Sequence, residues 1–192
     1  MGVKSLWTVL SGVGELTDIR QLQGQRVAVD LAGWIVQSKT CQAMTKHVNN
    51  PHICTLFFRA AALQALDIHP IFVLDGSAPE MKREVMKARR SGGKASQTQS
   101  QTQTEKIVCM NRKGLKSSQN ECLTLIRALG LEHATSQGEA EAMCAQLNAE
   151  GYVDAVIIED SDVFCYGAKV VLQNFSLNAA VKSIKMYKMV KD

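Results

Sequence analysis

The sequence has few aromatic residues, few prolines and no long apolar run. Aromatic side chains make up 5% of the 192 residues, and there are three prolines. A membrane-spanning helix needs roughly 18 or more consecutive apolar residues, and no run approaches that length. The N-terminus lacks the basic start and apolar stretch of a secretion signal. We therefore expect no membrane partner.

Cysteine and histidine occur without the spacing of a zinc site. No two of the six cysteines form a C-x-x-C pair, and we expect reduced thiols rather than disulfides. The four histidines also lack ligand spacing, so we interpret them as structural. These histidines are His47, His52, His69 and His133.

Positive charge is concentrated in one segment. The net charge of the chain is +4, but residues 80–116 contain ten basic and three acidic side chains, so this segment carries +7 and the remainder −3. Such a distribution is typical of a protein that binds a phosphate backbone and holds a metal with carboxylates. A solvated helix followed by a loop explains the charge run equally well. Within it, residues 91–104 contain only small or polar side chains and predict a flexible loop.

Apolar runs alternate with helical patterns along the chain. Strands are predicted at 26–30, 70–75 and 153–160, with shorter ones at 131–135 and 170–173. Helices are predicted at 51–67, 117–129 and 139–149. The first helix should bury Leu56, Phe57, Ala60, Leu63 and Leu66, and the second Cys122, Leu125, Ile126 and Leu129. This alternation predicts an α/β fold with a mostly parallel central sheet flanked by helices.

Aspartates end the three strongest predicted strands. These residues are Asp30, Asp75 and Asp160. In open parallel sheets the ligand site lies beyond the carboxyl ends of the strands, so we expect the three side chains to converge. Each also has a local explanation, since Asp30 could cap the next helix and Asp75-Gly76 is a good turn pair. Coincidence across three strands favours a shared site.

Two acidic pairs extend this set. Asp160 and Asp162 leave their strand with a period of two, so both can face one side if the chain stays extended. Glu139 and Glu141 lie at a predicted helix start, where residues two apart do not share a face. They can serve one site only if Glu139 precedes the regular helix or if they approach different ions. Favourable charge at a helix N-terminus is the alternative explanation.

Clustered carboxylates indicate a hard divalent cation. They would raise one another's pKa unless a cation lay among them. Oxygen ligands without His or Cys suit Mg²⁺ or Mn²⁺. Two such ions about 4 Å apart can clamp an in-line displacement at a phosphodiester. The pattern therefore predicts two Mg²⁺ ions, for which Mn²⁺ can substitute.

Several short motifs occur along the chain in a set order. They are residues 1–7, Val27–Asp30, Phe72–Gly76, 138–145 and 160–168. Together they resemble the N-terminal signature, the N region and the internal region of the XPG/flap-endonuclease family of 5′ nucleases. Within that family, Leu147-Asn148, Gly151, Val153-Asp154 and Asn174-Phe175 look most like the GEN-type Holliday-junction resolvases.

The resemblance implies a PIN-like 5′-nuclease fold and a magnesium-dependent, structure-selective endonuclease of DNA repair and recombination in the nucleus. It implies metal binding at Asp30, Asp75, Glu139, Glu141, Asp160 and Asp162. It implies that Lys82 and Arg89 contact the scissile phosphate, and that branched DNA is bound by Gly2, Lys82, Arg83, Lys87, Arg89 and Arg90. It leaves open a homodimer on four-way junctions.

The resemblance also implies a division of the chain. Residues 1–90 correspond to the family's N-terminal region, 91–116 to a flexible basic and polar loop, and 117–192 to a truncated internal region. The family's further metal-site aspartate and its helix-hairpin element do not appear, so we expect the chain to be C-terminally incomplete.

Two other functions fit parts of the sequence. A non-catalytic DNA-binding remnant of the same fold would keep the motifs without turnover. In a phosphatase that forms an aspartyl-phosphate, Asp160 would be the nucleophile of a D-x-D motif. The phosphatase hypothesis leaves Glu139, Glu141 and the basic segment unexplained.

Overall fold

Within the residues that the structure describes, seven strands form a single sheet. The computed structural model of the chain describes residues 6–76, 112–176 and 183–189. The strands are β1 (Glu15–Asp18), β2 (Arg26–Asp30), β3 (His69–Leu74), β4 (Glu132–Thr135), β5 (Ala155–Ile157), β6 (Val170–Gln173) and β7 (Ser183–Lys188). Their spatial order is β1-β7-β6-β5-β2-β3-β4.

Five of the strands run parallel. β2 pairs in parallel with β3 and β5, β3 with β4, and β5 with β6, whereas β7 is antiparallel to both β6 and β1. The parallel strands are linked through helices, as parallel connections require. The predicted α/β fold with a mostly parallel sheet is confirmed.

Helices flank the sheet. They are α1 (Leu6–Leu10), α2 (Leu31–Thr40), α3 (Gln42–Thr45), α4 (Pro51–Ala65), α5 (Arg112–Ala128) and α6 (Ala140–Ala149), together with 3₁₀ helices at Ile19–Leu22 and Ser161–Phe164. In the part of the chain that the structure describes, no helix has both the length and the apolar character to cross a membrane.

Each face of the sheet has its own apolar core. On one face Val29 packs with residues of α2, α4 and α5, including Ile35, Leu63 and Ile126. On the other face Ala28 packs with residues of α6, including Cys144. Because side chains alternate along a strand, membership of a core shows which face each strand residue points to.

Two residues predicted to be buried and one predicted helix start are wrong. Phe57 and Leu129 are 44% and 37% exposed instead of buried. Phe57 lies about 100° around its helix from Leu56, and α4 buries Leu56, Ala60 and Leu63. Helix α5 begins at Arg112 rather than at residue 117, so 112–116 are helical and not part of a loop. Residues 91–111 lie outside the described residues.

Candidate metal centre at the carboxyl edge of the sheet

The carboxyl ends of three neighbouring strands carry the three aspartates. Asp30 is the last residue of β2, Asp75 follows β3 directly, and Asp160 follows β5 by a few residues. β5, β2 and β3 are adjacent in the sheet. The same three strands end at one edge because they run parallel, so the aspartates share that edge.

The three aspartates lie on the α6 side of this edge. Within β2, Ala28 belongs to the core on the α6 side, so strand alternation places Asp30 on that side too. Asp75 accepts a hydrogen bond from the Ala140 N–H of α6. The charges of Asp75 and Asp160 both act on Asp30, so Asp160 lies near the other two.

Asp30 is the most strongly perturbed of the carboxylates. Its carboxylate caps helix α2 by accepting a hydrogen bond from the Ala32 N–H at 3.0 Å. Burial, and then the nearby charge of Asp75, raise the pKa of Asp30 to about 7, with a smaller contribution from Asp160. Asp30 therefore caps α2 and also lies close enough to Asp75 and Asp160 for their charges to act on it.

Asp75 is held by the N-terminus of α6. Its Oδ1 accepts a hydrogen bond from the Ala140 N–H at 2.8 Å, and its Oδ2 lies 3.5 Å from the Gln119 Nε2 of helix α5. Gly76 N–H donates to the Gly138 carbonyl at 2.9 Å. The end of β3 is therefore joined to the segment between β4 and α6.

Glu139 and Glu141 lie on either side of the start of α6. Glu139 is the N-cap residue of α6 and has extended backbone, so it precedes the regular helix, while Glu141 lies in the first turn. Burial, and then the charges of Asp30, Asp75 and Glu141, raise the pKa of the Cys144 thiol well above its usual value. Cys144 therefore lies beneath a group of carboxylates that comes from three separate elements.

Asp160 and Asp162 do not continue an extended strand. β5 ends at Ile157, and residues Ser161–Phe164 form a 3₁₀ helix that Asp160 caps. The Asp160 Oδ1 accepts a hydrogen bond from the Asp162 N–H at 3.1 Å. The expectation of an extended chain through 153–160 and on to Asp162 is wrong, because the cap turns the backbone after Asp160.

The donor set fits a hard divalent cation. Carboxylate oxygens are the ligands that Mg²⁺ prefers, and the burial that raises the pKa of Asp30 would be offset by a cation. Among residues 6–76, 112–176 and 183–189, however, no group of three or more His, Cys, Asp or Glu side chains is placed so that it could hold a metal ion. The carboxylates share one edge but would have to close in around an ion.

The raised pKa of Asp30 predicts a pH-dependent cost of folding in the metal-free chain. Because the folded state holds the Asp30 proton more tightly than the unfolded state, the contribution of Asp30 to stability is fully present below its ordinary pKa of 3.8 and is lost as pH rises through about 7. Asp30→Asn keeps a capping oxygen for Ala32 and removes the charge. We expect it to stabilise the metal-free chain at pH 8 by on the order of 1 kcal/mol.

Urea unfolding of the wild type and Asp30→Asn at pH 8 and pH 5 measures this effect. Asp67→Asn is the matched control, since Asp67 is 62% exposed at the opposite edge of the sheet. A destabilised Asp30→Asn chain at pH 8 would contradict the electrostatic interpretation.

Other predicted site residues are placed differently. Gly2, Lys82, Arg83, Lys87, Arg89 and Arg90 lie outside the described residues. The histidine interpretation is supported at His52, which is 4% exposed and whose Nε2 lies 2.8 Å from the Glu121 Oε2. The five described cysteines are free, as expected for reduced thiols.

Comparison with known proteins decides the family. The XPG N-terminal domain profile matches residues 1–98, and the XPG I-region profile matches residues 130–192. The chain belongs to the XPG family. Flap endonuclease GEN homolog 1 of Homo sapiens is 37% identical over 189 residues, and Flap endonuclease GEN of Drosophila melanogaster is 39% identical over 183. The chain is covered at 98% and 93%, but it spans only 20% and 25% of those XPG relatives.

Solved structures of XPG-family nucleases share the fold. Human GEN1 in complex with Holliday junction DNA matches with a TM-score of 0.79 and 36% identity, over 98% of this chain and 44% of that one. The catalytic core of Rad2 in complex with DNA substrate matches with a TM-score of 0.74 and 28% identity, over 97% and 53%. GEN1 in complex with product DNA, Mg²⁺ and Mn²⁺ matches with a TM-score of 0.65 and 27% identity, over 97% and 40%.

Proposed function

We propose that this chain provides the metal-binding part of a structure-selective DNA endonuclease that hydrolyses phosphodiester bonds at branched DNA. The observation that carries the proposal is the gathering of Asp30, Asp75 and Asp160 at one edge of an XPG-family sheet, with the N-terminus of α6 beside them. Relatives that match over nearly the whole chain are flap endonucleases.

The carboxylates would hold two Mg²⁺ ions, or Mn²⁺ in their place. The proposed ligands are Asp30, Asp75, Glu139, Glu141, Asp160 and Asp162. When bound, such ions supply an activated water and neutralise charge on the leaving oxygen. The protein's part is to fix the ligands. The Ala140 N–H orients Asp75, and the hydrogen bonds of Asp30 and Asp160 to following N–H groups orient those two carboxylates.

The substrates follow from the relatives. A homologous structure contains Holliday junction DNA, and another contains product DNA with Mg²⁺ and Mn²⁺. We extend this to the present chain as binding of Holliday junctions and 5′ flaps, with a role in DNA repair and recombination in the nucleus. Action as a homodimer on four-way junctions is part of the same proposal.

Lys82 and Arg89 are predicted to stabilise charge on the scissile phosphate. They lie seven residues apart in the sequence, which is about two turns of a helix. In a chimera of residues 1–192 with the remaining nuclease core of a GEN relative, either change to Ala is expected to slow single-turnover incision by ~100- to 1,000-fold. Lys188→Ala, at the end of β7, is the control. A variant that cuts at the wild-type rate would exclude this role.

The activity itself is tested with the same chimera and with the 192-residue chain. Both are incubated with a four-way junction and a 5′ flap, with Mg²⁺ and then with a chelator. We expect chelator-sensitive incision by the chimera and little by the chain alone, because the chain spans about a fifth of its relatives. A chimera that binds DNA but does not cut would favour a non-catalytic remnant. Hydrolysis of a small phosphate ester without DNA incision would favour a phosphatase.

A further inference from the structure

Glu159 lies directly beside the metal carboxylates but faces the other side of the sheet. Ile157 belongs to the core of α2, α4 and α5, whereas Ile158 belongs to the α6 core. Beyond the end of β5, the Glu159 carboxylate accepts a hydrogen bond from the Asn174 N–H, next to Phe175 of the α2–α4 core, whereas the charge of Asp160 acts on Asp30. A partly buried acid at this position takes no part in the proposed metal shell, and its contacts call for a different role.

Two N–H groups bond to Glu159, one to its backbone and one to its side chain. The Trp7 indole Nε1–H donates to the backbone carbonyl oxygen of Glu159 at 2.9 Å, and the Asn174 N–H donates to the side-chain Oε1 of Glu159 at 3.0 Å. Asn174 adopts a positive φ of 63°, a conformation that asparagine tolerates better than most residues. The peptide before Asp160 is thus tied to helix α1 and to the turn that follows β6.

A buried arginine acts on Glu159 through its charge, without a direct ion pair between the two described residues. Arg59 is 9% exposed, and its Cζ lies 4.8 Å from the centroid of the Trp34 ring, which stacks on Phe175 at 5.5 Å. Its Nη2 donates to the Gln37 Oε1 at 2.6 Å, while its Nη1 has no hydrogen-bond partner within the described parts of the chain. Burial raises the pKa of Glu159, and the Asn174 N–H and the charge of Arg59 act against that rise.

We propose that Glu159 is a positioning residue that holds Asp160 in the direction required for metal binding, with Trp7 and Asn174 as its hydrogen-bond partners. This inference rests on the proposed metal role of Asp160. The 3₁₀ helix after Asp160 is only four residues long, so the residues that precede Asp160 have to fix its position. Misplacement of a reacting group by about 1 Å can cost ~100-fold in rate, so the position of Asp160 has to be fixed closely.

Amide hydrogen exchange in the metal-free 192-residue chain tests the positioning without relying on activity. The Asp162 N–H is protected by the Asp160 Oδ1, so its exchange rate reports the placement of that carboxylate. We expect Glu159→Leu to speed Asp162 exchange by about 10-fold and Trp7→Phe by about 3-fold, as local opening rather than global unfolding. Amides of β2 and β3 serve as the internal reference.

Glu159→Gln is the matched control, because it keeps an oxygen for the Asn174 N–H. We expect it to leave Asp162 exchange close to wild type. Trp7→Phe keeps the ring packing against Phe164 and Tyr187, which lie 5.7 and 5.1 Å away, so it stays informative if Glu159→Leu fails to fold. Unchanged Asp162 exchange in Trp7→Phe and in folded Glu159→Leu would overturn the inference, as would equal acceleration at β2 and β3.

Mn²⁺ binding by the same variants, followed by electron paramagnetic resonance, separates this inference from the proposed function. Loss of an outer-shell partner typically weakens metal affinity ~10- to 100-fold, and we expect about 10-fold for Glu159→Leu. Asp160→Asn should weaken binding further. If the wild-type chain bound Mn²⁺ and Glu159→Leu bound it equally well, the inference alone would fail. If the wild type bound no Mn²⁺, the proposed function would fail, and the exchange rates would still decide whether Glu159 positions Asp160.

Discussion

Replacement of Asp75 by Asn in the chimera with a GEN relative is expected to slow single-turnover DNA incision by more than about 1,000-fold. A metal ion supplies several kcal/mol of stabilisation to a transferring phosphoryl group, and ~4 kcal/mol corresponds to roughly that factor in rate. Asn keeps the size of the side chain and an oxygen for the Ala140 N–H, which lies 2.8 Å from the Asp75 Oδ1. The loss should therefore come from the missing charge and not from a disrupted fold.

Asp67→Asn and Asp154→Asn are the controls for this result. Asp154 lies at the opposite edge of the sheet, where its Oδ2 accepts a hydrogen bond from the Arg26 N–H at 2.8 Å. Neither residue is near the carboxyl ends of β2, β3 and β5. Both controls should cut within about threefold of wild type, since surface changes away from a site have small effects. An Asp75→Asn chimera with near-normal incision would remove Asp75 from the proposed metal shell.

Replacement of Gly76 by Ala is expected to destabilise the chain by about 3 kcal/mol or more, because overpacking against rigid backbone is costly. A Cβ atom at this position would lie 1.8 Å from the Ser136 carbonyl oxygen, which is far too short for two atoms that are not bonded. The backbone at the ends of β3 and β4 would have to separate. That separation would also strain the bond between the Gly76 N–H and the Gly138 carbonyl.

Gly114→Ala is the matched control for Gly76→Ala. Gly114 lies in helix α5, and a Cβ there would meet no atom within 4 Å. Because Ala favours a helix interior over Gly by roughly 0.5–1 kcal/mol, this variant should be slightly more stable than wild type. Urea unfolding of the three chains measures both effects. Equal stability of Gly76→Ala and wild type would show that the two strand ends are not packed as described.

The parallel part of the sheet and its acidic edge were accessible from sequence. β2 was predicted with its observed bounds and β3 within one residue, because each is a short β-branched run closed by an aspartate. The position of Glu139 just before helix α6 was also among the predicted alternatives. These features depend on local patterns, namely strand alternation, turn residues and helix starts, which a single sequence displays directly.

The antiparallel strands β1 and β7 were not predicted because the residues that pair are far apart in the sequence. β1 and β7 join Glu15 to Met186 across most of the chain, and each strand is only four to six residues long. Such edge strands gain their stability from the partner rather than from local preference. No signal in one strand identifies the other.

The supporting contacts of the site were missed for a related reason. Gln119 and Ala140 approach Asp75 from two different helices, and Arg59 reaches the Trp34–Phe175 stack from α4. Their roles follow from tertiary packing, so sequence spacing does not reveal them. The same holds for Asp162, whose place in a 3₁₀ turn depends on capping by Asp160.

Anomalous diffraction from crystals of the chain soaked in Mn²⁺ tests the central claim most directly. We expect a peak at the carboxyl edge of β5, β2 and β3, beside the N-terminus of α6, with carboxylate oxygens of Asp30, Asp75 and Asp160 at about 2.1 Å, the distance typical of Mg²⁺ sites. The Asp75→Asn chain should show a weaker peak or none. A wild-type crystal with no peak at this edge, or with its strongest site near Asp67 and His69 at the opposite edge, would contradict the account.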